Sequence, residues 1–490
     1  MAEVVPVDVV SRGNLDADVL IAGAFEGEAL DLDGLGEDVR GALERLAGRG
    51  GWKSREEQSA QTDLAGGPVV LLGGLGKPGD FTPAKLSRWI ARTADWARVN
   101  GLGRLQYILP RHAETTGWAA AERSLRWMAL SGYRFERRSE EKNNLRLASV
   151  AAAPPSGDED AWREALPFSL AAAGASAFSR SLANTPPNEA TTLWMAERAR
   201  EMAEGRGIEV TVLDEEEMAR RGMGGILAVG SGSSHPPRLV RLSWGSEGPL
   251  IALVGKGVTF DTGGISIKPS EKMEDMKYDK AGACTVLGIV RAVADLGLKI
   301  RLRAYCPFAE NMPSGAAYRP GDILRMYNRK TVEITNTDAE GRLILADSLS
   351  WAAEESPEAL VELSTLTGGI VVALGQAAAG LFTPDDGLAS ELQAASTDAG
   401  ERLWRMPLYP EFLEDMKGLH ADLKNSAGRY GSACTAAAFL SQFTGGLKSW
   451  AHLDIAGVGY LSADAVGKRA GATGFGIASV LGWLRRRAAG

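Results

Sequence analysis

Short runs of apolar residues alternate with longer stretches of helical periodicity along the whole chain. In the first part of the chain, apolar runs of four or five residues predict buried strands at Val19–Ala22, Val69–Leu72, Leu105–Leu109 and Leu147–Ala151. Between them, Leu86–Arg98 and Ala119–Ser131 have the apolar spacing of amphipathic helices. Strands that alternate with helices in this way are typical of α/β architecture.

A proline-rich and acidic segment follows the last of these strands. Residues 152–160 read AAPPSGDED, a composition typical of a linker. A connecting helix is predicted from about Pro167, and it should end before Asn184. We therefore expect a smaller N-terminal α/β domain over residues 1–160, a connecting helix and linker over 161–185, and a larger domain over 186–490.

The larger domain has the stronger signals for buried strands. They lie at Leu239–Leu242, Leu250–Val254, Ile300–Tyr305, Thr331–Ile334, Leu360–Leu363 and Ala451–Ile455. Each run is followed by a helical pattern, which predicts a sheet covered by helices on both faces. Because ligands of open α/β sheets bind outside the carboxyl ends of the strands, the loops after these strands are where functional residues are expected.

Composition and charge narrow the class of protein. The 490 residues are 45% hydrophobic and 24% charged, as in ordinary globular proteins, and the net charge of −8 gives no general basic surface for nucleic acid. Three distant cysteines offer neither a CxxC metal site nor a disulfide framework. The longest apolar stretch, Gly368–Phe382, is too short for a membrane span, and the start of the chain does not resemble a signal peptide. The expected location is the cytoplasm.

Several common catalytic motifs are absent from the sequence. The chain has only four histidines, none close to another in sequence, so an HExxH zinc helix is excluded and any metal site must use mainly oxygen ligands. Gly76-Lys77 and Gly255-Lys256 lack the other residues of a phosphate-binding loop, and no GxSxG motif of a serine hydrolase occurs.

Two segments combine many ionisable residues with glycines. The first runs from Gly255 to Pro269 and is followed by Asp279, which precedes a predicted helix. The second is Asn336–Leu343, which contains Asp338 and Glu340 after the predicted strand Thr331–Ile334. Since these acids follow strands or precede helices, we expect them on one rim of one sheet.

Carboxylates gathered on one rim require positive charge nearby. Asp261, Asp279, Asp338 and Glu340 carry four negative charges, which two divalent cations would neutralise. Two metals about 3.5–4 Å apart can activate a water and polarise a carbonyl or phosphoryl group. The simpler alternative is that Lys256, Lys268 and Arg342 pair with the acids on a solvated surface. The density of the set and its interleaved glycines favour the metal site.

The same residues resemble the leucine aminopeptidase (cytosol aminopeptidase) family of two-metal exopeptidases. The octapeptide Asn336–Leu343 is similar to the family signature in full, and Lys256–Lys268 matches without a gap. Further similar segments are Gly222–Gly224, Pro236–Leu239, Glu310–Gly315, Thr365–Gly368, Ala421–Asn425 and Trp450–Gly457. The resemblance covers about residues 180 to 480, and residues 1–160 are compatible with the variable N-terminal domain of the family.

The resemblance implies a role for each matching residue. Asp261 and Glu340 would bridge two metals, Asp338 would complete one site, and Asp279 with the Lys256 amine would complete the other. Lys268 would stabilise the oxyanion, and Arg342 would hold a bicarbonate that acts as general base. The pocket for the N-terminal side chain would be formed by Met276, Thr365, Leu366 and Gly368.

The resemblance also implies cofactors and partners. Two divalent ions per subunit, most often Mn²⁺ or Zn²⁺, would release leucine and similar residues from short peptides with a free N-terminus, in a homohexamer. Lys280, Cys284 and the pair Phe475-Gly476 depart from the expected pattern, which leaves the side-chain preference open. Two alternatives stay open as well: an additional DNA-binding or architectural role, and a two-metal phosphoesterase.

Overall fold

The computed structural model describes residues 4–135, 146–463 and 470–490 and divides the chain into two compact units. The first consists mainly of residues up to Ala177, and the second mainly of residues from Phe178 onward. Among the helices described, none combines the length and the apolar composition needed to cross a membrane.

The first unit is built on a six-stranded sheet with the strand order β1-β6-β5-β2-β4-β3. Its elements are β1 (Val7–Val9), β2 (Val19–Phe25), α1 (Glu37–Ala47), β3 (Ser59–Asp63), β4 (Val69–Gly76), α2 (Pro83–Val99), β5 (Arg104–Ile108), α3 (Trp118–Leu130) and β6 (Ser149–Ala153). Only β3 runs antiparallel to its neighbour; the other pairs are parallel. The predicted strands are confirmed, with the last one displaced by two residues.

Helices cover both faces of this sheet. Val39, Leu43 and Leu46 of α1 follow the spacing of one apolar helix face and pack in one core with alternate residues of β2 and β4. A second core contains the apolar residues of α2 and α3. The loops after β2 and β5 line a cavity of about 440 Å³, and none of the predicted site residues lies in it.

The long helix α4 (Glu159–Asn184) begins earlier than predicted and continues through Pro167. The residues of the predicted linker are therefore divided between β6, a short turn and the first turn of this helix. Glu159 and Asp160 lie in that first turn, where negative charge stabilises the helix dipole, so their acidity marks a helix start as well as a linker.

The second unit contains a mixed nine-stranded sheet and the remaining elements. They are α5 (Thr192–Ala203), β7 (Glu209–Leu213), α6 (Glu215–Arg221), α7 (Gly224–Gly230), β8 (Arg238–Trp244), β9 (Leu250–Gly255), β10 (Gly257–Asp261), α8 (Ala281–Asp295), β11 (Arg301–Asn311), β12 (Ile323–Arg325), β13 (Thr331–Glu333), α9 (Gly341–Glu354), β14 (Ala359–Ser364), α10 (Gly368–Leu374), β15 (Ala379–Phe382), α11 (Asp386–Ala399), β16 (Leu403–Arg405), α12 (Pro410–Glu414), β17 (Leu423–Lys424), α13 (Ser432–Ser441), β18 (Trp450–Asp454), β19 (Tyr460–Leu461), β20 (Gly471–Ala472) and α14 (Ile477–Ala489). The main sheet has the order β16-β15-β18-β14-β9-β11-β8-β7, and β10 also pairs with β11.

The central strands of this sheet are parallel, and antiparallel pairs occur towards both margins. The strands β18, β14, β9, β11 and β10 are joined by parallel pairs, whereas β8, β7 and β15 join by antiparallel pairs. The near-continuous apolar sequences of β9 and β14 are buried, except for the partly exposed Leu250 at the start of β9, because helices cover both faces. α8 contacts β9 and β14, while α9 shares a core with Ala252 and Val254 of β9.

One strand does not belong to the sheet in which it was predicted. β13 lies in a separate three-stranded sheet with the order β12-β13-β17, so the acids that follow it do not come from the rim of the main sheet. The strand is only three residues long and pairs with β17, about ninety positions later in the sequence. A local pattern of apolar residues identifies such a strand without identifying its partner.

Candidate metal centre

The carboxyl ends of parallel strands form one side of the site. Lys256 directly follows β9, Asp261 is the last residue of β10, Thr365 directly follows β14, and Asp454 ends β18. Because these strands are linked by parallel pairing, their carboxyl ends lie at the same edge of the sheet.

Asp338 and Glu340 reach this edge from the loop between β13 and α9. Thr337, which is buried in that loop, donates its hydroxyl hydrogen to the Gly263 carbonyl at 2.6 Å and accepts a hydrogen bond from the Ser266 amide at 2.7 Å. These bonds fix the loop against the segment after Asp261. As a result, Asp261, Asp338 and Glu340 each offer a carboxylate oxygen within 4.8 Å of the others.

Lys256 joins the fourth acid to this group. Its Nζ lies 2.7 Å from Asp279, 2.9 Å from Glu340 and 3.1 Å from the carbonyl oxygen of Thr365. Gly341 leaves the space that the lysine side chain occupies, since a Cβ there would lie 2.7 Å from Nζ. Asp279 is carried by a 3₁₀ segment, Met273–Lys280, directly before α8.

Lys268 pairs with the other side of the cluster. Its Nζ lies 2.9 Å from Asp261 Oδ2 and forms a second ion pair with Asp338. The Lys268 side chain is 20% exposed, against 3% for Lys256. The two ammonium groups therefore differ, because one is enclosed by carboxylates and the other also faces solvent.

The charges in the cluster shift one another's pKa values. Burial raises the pKa of Asp279 to about 8 and that of Asp338 to about 6, and the charge of Glu340 adds to both shifts. Burial alone would raise the pKa of Glu340 too, but Lys256 and Lys268 hold it below its ordinary value. The four carboxylates thus need compensating charge from protons, ammonium groups or cations.

The two lysines respond in the opposite direction. Burial alone would lower the pKa of each, but the adjacent carboxylates raise both above the ordinary value: Asp279, Glu340 and Asp261 act on Lys256, and Asp261, Glu340 and Asp338 act on Lys268. The acids thus favour the charged form of both lysines.

Arg342 lies in the first turn of α9, two residues after Glu340. The side chain is buried, and Nη1 donates a hydrogen bond of 2.8 Å to the carbonyl oxygen of Asn425. Burial lowers the pKa of Arg342 to about 10, against the opposing effects of Glu340 and Asp454. At neutral pH the guanidinium is therefore still charged.

The turn from Thr365 to Gly368 is fixed by the same network. Thr365 Oγ1 donates to Asp279 at 2.7 Å, and Asp454 accepts hydrogen bonds from the Leu366 amide and the Thr367 hydroxyl at 3.2 and 2.6 Å. Gly368 is exposed and begins α10. Met276 is half-buried in the segment that carries Asp279.

The donor set fits divalent cations. It consists of four carboxylates and one amine, and oxygen-rich sites of this kind suit hard and borderline ions such as Mn²⁺ and Zn²⁺. Glu340 Oε2 is buried and has no hydrogen-bond partner among the residues described. A buried carboxylate oxygen without a donor calls for a partner, and a cation would provide one.

Three buried residues around the cluster were not identified from the sequence. Asn311 bonds to Asp261, Asn425 bonds to the loop that carries Asp338, and Asp454 fixes the turn after Thr365. All three lie in segments that resemble the peptidase family. Their positions in those segments were the available signal. The two uncharged amides do not stand out in a search for metal ligands, and Asp454 is far in sequence from the segments rich in acids and glycines.

Comparison with known proteins identifies the class of this site. The family model described as "Cytosol aminopeptidase family, catalytic domain" matches residues 177–481. A probable cytosol aminopeptidase of Roseiflexus castenholzii is 40% identical over 480 residues, which cover 96% of each chain. One of Cenarchaeum symbiosum is 39% identical over 482 residues, again 96% of each chain.

A solved structure agrees with these relatives over nearly the whole chain. It is that of the bottromycin maturation enzyme BotP in complex with Mn, which is 35% identical with a TM-score of 0.85. The match covers 96% of this chain and 100% of that one. The comparisons thus confirm the predicted family and fold class, and they support neither the DNA-binding nor the phosphoesterase alternative.

Proposed function

Because the chain belongs to the cytosol aminopeptidase family and is a metal-dependent aminopeptidase, we propose that it releases leucine and similar N-terminal residues from short peptides at a centre of two divalent cations. The observation that carries this proposal is the cluster of four carboxylates and two lysines at one edge of the main sheet, in which all members but Asp338 and Lys268 are buried. When bound, two such cations supply an activated water and polarise the scissile carbonyl.

The ligands are divided between the two cations by their places in the cluster. Asp261 and Glu340 lie between the two lysines and would bind both cations, with Asp338 completing the site near Lys268. Asp279 and the Lys256 amine would complete the second site. The short distances among these groups support the assignment, and four carboxylates balance the charge of two Mn²⁺ or Zn²⁺ ions.

Lys256 can serve as a ligand only as a neutral amine. The acids stabilise its ammonium form, but cations held by the same acids reverse the local field and lower its pKa. Metal binding should therefore release the proton of Lys256. The amine is already within 3 Å of Asp279 and Glu340, so the side chain does not have to move far to bind beside them.

The substrate would be oriented by its free α-amine and its first side chain. The α-amine would bind at the metal centre, and the side chain would enter a pocket formed by Met276, Thr365, Leu366 and Gly368. This placement is supported by Thr365, which bonds to Asp279 and begins the turn. Asp454 holds the turn rigid, which favours recognition of a defined side chain.

Lys268 and Arg342 would act on the reacting groups. Lys268 is the more exposed ammonium and would stabilise the negative oxygen that develops on the scissile carbonyl. Arg342 would hold a bicarbonate, which takes a proton from water and delivers it to the leaving amine. The Nε of Arg342 is buried and has no hydrogen-bond partner among the residues described, so a bound anion would supply the acceptor that it lacks.

Membership of the family also suggests a quaternary structure and a cellular location. We propose a homohexamer that works in the cytoplasm. Exposed apolar side chains on the second unit, among them Ile267, Val372 and Tyr430, support contacts between subunits.

A substrate comparison tests the proposed reaction. Manganese-loaded protein should hydrolyse a leucyl-anilide, but not the N-acetylated leucyl-anilide or an aryl phosphate. Acetylation removes the basic amine while leaving the scissile bond in place. Equal cleavage of the acetylated substrate would show that the amine is not recognised, and hydrolysis of the phosphate alone would place the protein in another class.

A further inference from the structure

We infer that Asn311 and Asn425 are positioning residues that hold the metal-ligand loop, residues 335–340, from two sides. Asn311 sets the orientation of Asp261, and Asn425 sets the position of Arg342. The inference rests on the proposed function, because it concerns the ligands and the arginine of that site. Neither asparagine touches the reacting groups.

Asn425 replaces the hydrogen bonds that a strand would make with this loop. It directly follows β17, which pairs in parallel with β13, and it is completely buried. Its Oδ1 accepts from the amides of Thr335 and Asn336 at 2.8 and 3.3 Å, and its Nδ2 donates to the carbonyls of Asn336 and Ala339 at 2.6 and 3.4 Å. The side-chain amide thus bonds to the main chain on both sides of Asp338.

The main chain of Asn425 also fixes Arg342. Its carbonyl oxygen accepts the hydrogen bond from Arg342 Nη1 at 2.8 Å. The residue that holds the ligand loop therefore holds the arginine as well. Displacement of Asn425 should move the metal ligands and the guanidinium together.

Asn311 acts on the opposite side of the loop. It is the last residue of β11, it is completely buried, and its Nδ2 donates to Asp261 Oδ1 at 2.8 Å and to the Thr337 carbonyl at 3.0 Å. Asp261 Oδ1 also accepts from the Gly263 amide at 2.8 Å. With Oδ1 held by two donors, the plane of the carboxylate is fixed and Oδ2 is directed towards Lys268.

The function of these amides follows from the repulsion in the cluster. Four carboxylates close together would move apart if the loop were free, and each would have to be brought back when a cation binds. Two buried amides that bond to the loop backbone resist this movement without adding negative charge. They keep the ligands in place before the cations bind.

The test compares Asn311→Ala and Asn425→Ala with Asn328→Ala. Asn328 makes a similar pair of bonds, to the Gln442 carbonyl at 3.1 Å and from the Lys330 amide at 3.1 Å, in the turn between β12 and β13. Mn²⁺ is titrated by calorimetry into metal-depleted protein. Loss of a residue that orients metal ligands typically weakens metal affinity by about 10–100-fold, so both site variants should show that loss and Asn328→Ala should not.

Kinetics at saturating Mn²⁺ separate the two roles. Asn311→Ala should recover most of kcat, because excess metal restores occupancy. Asn425→Ala keeps the main-chain carbonyl but loses the side-chain bonds that hold it, so that this carbonyl and Arg342 should shift together, and kcat should stay reduced with little change in KM. Where an alanine variant is poorly folded, the serine variant at the same position, which retains a hydroxyl hydrogen bond, is titrated instead.

Unchanged Mn²⁺ affinity in folded Asn311 and Asn425 variants would overturn the inference, as would an equal loss in Asn328→Ala. Failure of the proposed function looks different, because then the unmodified protein would itself bind no Mn²⁺ or cleave no leucyl-anilide.

Discussion

Glu340 and Arg342 are two residues apart, and the structure gives them different partners. Glu340 ends the ligand loop with one oxygen on Lys256 and the other without a hydrogen-bond donor among the residues described. Arg342 points to the Asn425 carbonyl. In the proposed function, Glu340 holds metal and Arg342 holds an anion, so substitutions at the two positions should have different effects.

Glu340→Ala should lower both metal content and activity. It removes a carboxylate proposed to bind both cations, which leaves uncompensated positive charge between them. Metal analysis after dialysis should find less than the full complement of Mn²⁺ per chain, and leucyl-anilide hydrolysis should fall with it. Full metal content in this variant would contradict its assignment as a bridging ligand.

Arg342→Ala should retain its metal ions but hydrolyse the substrate more slowly. General acid–base assistance is worth about 10²–10⁴-fold, so kcat should fall by that order with a modest change in KM. Added bicarbonate should stimulate the unmodified enzyme more than the variant. Arg319→Ala is the matched control, because Arg319 pairs with Asp322 and its side chain is 72% exposed. Near-normal kcat, or loss of Mn²⁺, would show that the role of Arg342 is wrongly assigned.

At the scale of strands and helices, local patterns predicted more than long-range pairing. The apolar runs of β9, β14 and β18 are found where the sequence placed them, because buried parallel strands need continuous apolar residues. The acids after β13 were predicted on the same sheet, yet they come from the small sheet of β12, β13 and β17. Strands of two or three residues carry too few side chains to encode a partner far away in sequence.

For the candidate site too, the sequence indicated what depends on local residues but not what depends on long-range contacts. Clustered acids, lysines and glycines identified the candidate ligands, and resemblance to a family supplied roles that residue types alone could not. The supporting bonds of Asn311 and Asn425 depend on where the loop lies in three dimensions. No spacing in the sequence reports that position.

The adjacent strands β14 and β18 contain a buried pair whose ionisation should affect stability. Glu362 and His452 face each other in the strand register, both are fully buried, and Nδ1 of the histidine bonds to the carboxylate. Burial alone would lower the pKa of His452, but Glu362 and Asp454 raise it above 6.5. A raised histidine pKa stabilises the fold fully below the unfolded-state value, and this stabilisation is lost as the pH rises through the folded-state value.

His452→Gln should therefore lower the free energy of unfolding most at low pH. Removing one partner of a buried ion pair typically lowers the free energy of unfolding by about 3–5 kcal/mol. This difference should be larger at about pH 6 than at a pH above the raised folded-state pKa, where the histidine of the unmodified protein has lost its proton. Urea unfolding of the metal-depleted proteins at both pH values measures this difference in the free energy of unfolding. A difference that does not change with pH would mean that the pKa of His452 is not raised in the folded protein.

At the scale of the whole molecule, the proposed homohexamer can be measured directly. Light scattering should give a mass six times the 51.9 kDa of one chain. Replacing the exposed Val372 with Asp should weaken the assembly if this side chain lies between subunits, whereas Glu197→Gln, on an exposed helix surface, should not. A fully active species with the mass of a single chain would contradict the proposal.

In the proposed function, the carboxylate–lysine cluster holds two cations, and both are needed for peptide hydrolysis. The most direct test is a titration of metal-depleted protein with Mn²⁺ while leucyl-anilide hydrolysis is followed. We predict that activity is absent without metal and reaches its plateau at two equivalents per chain. Full activity at one equivalent, or activity without any added metal, would contradict the account.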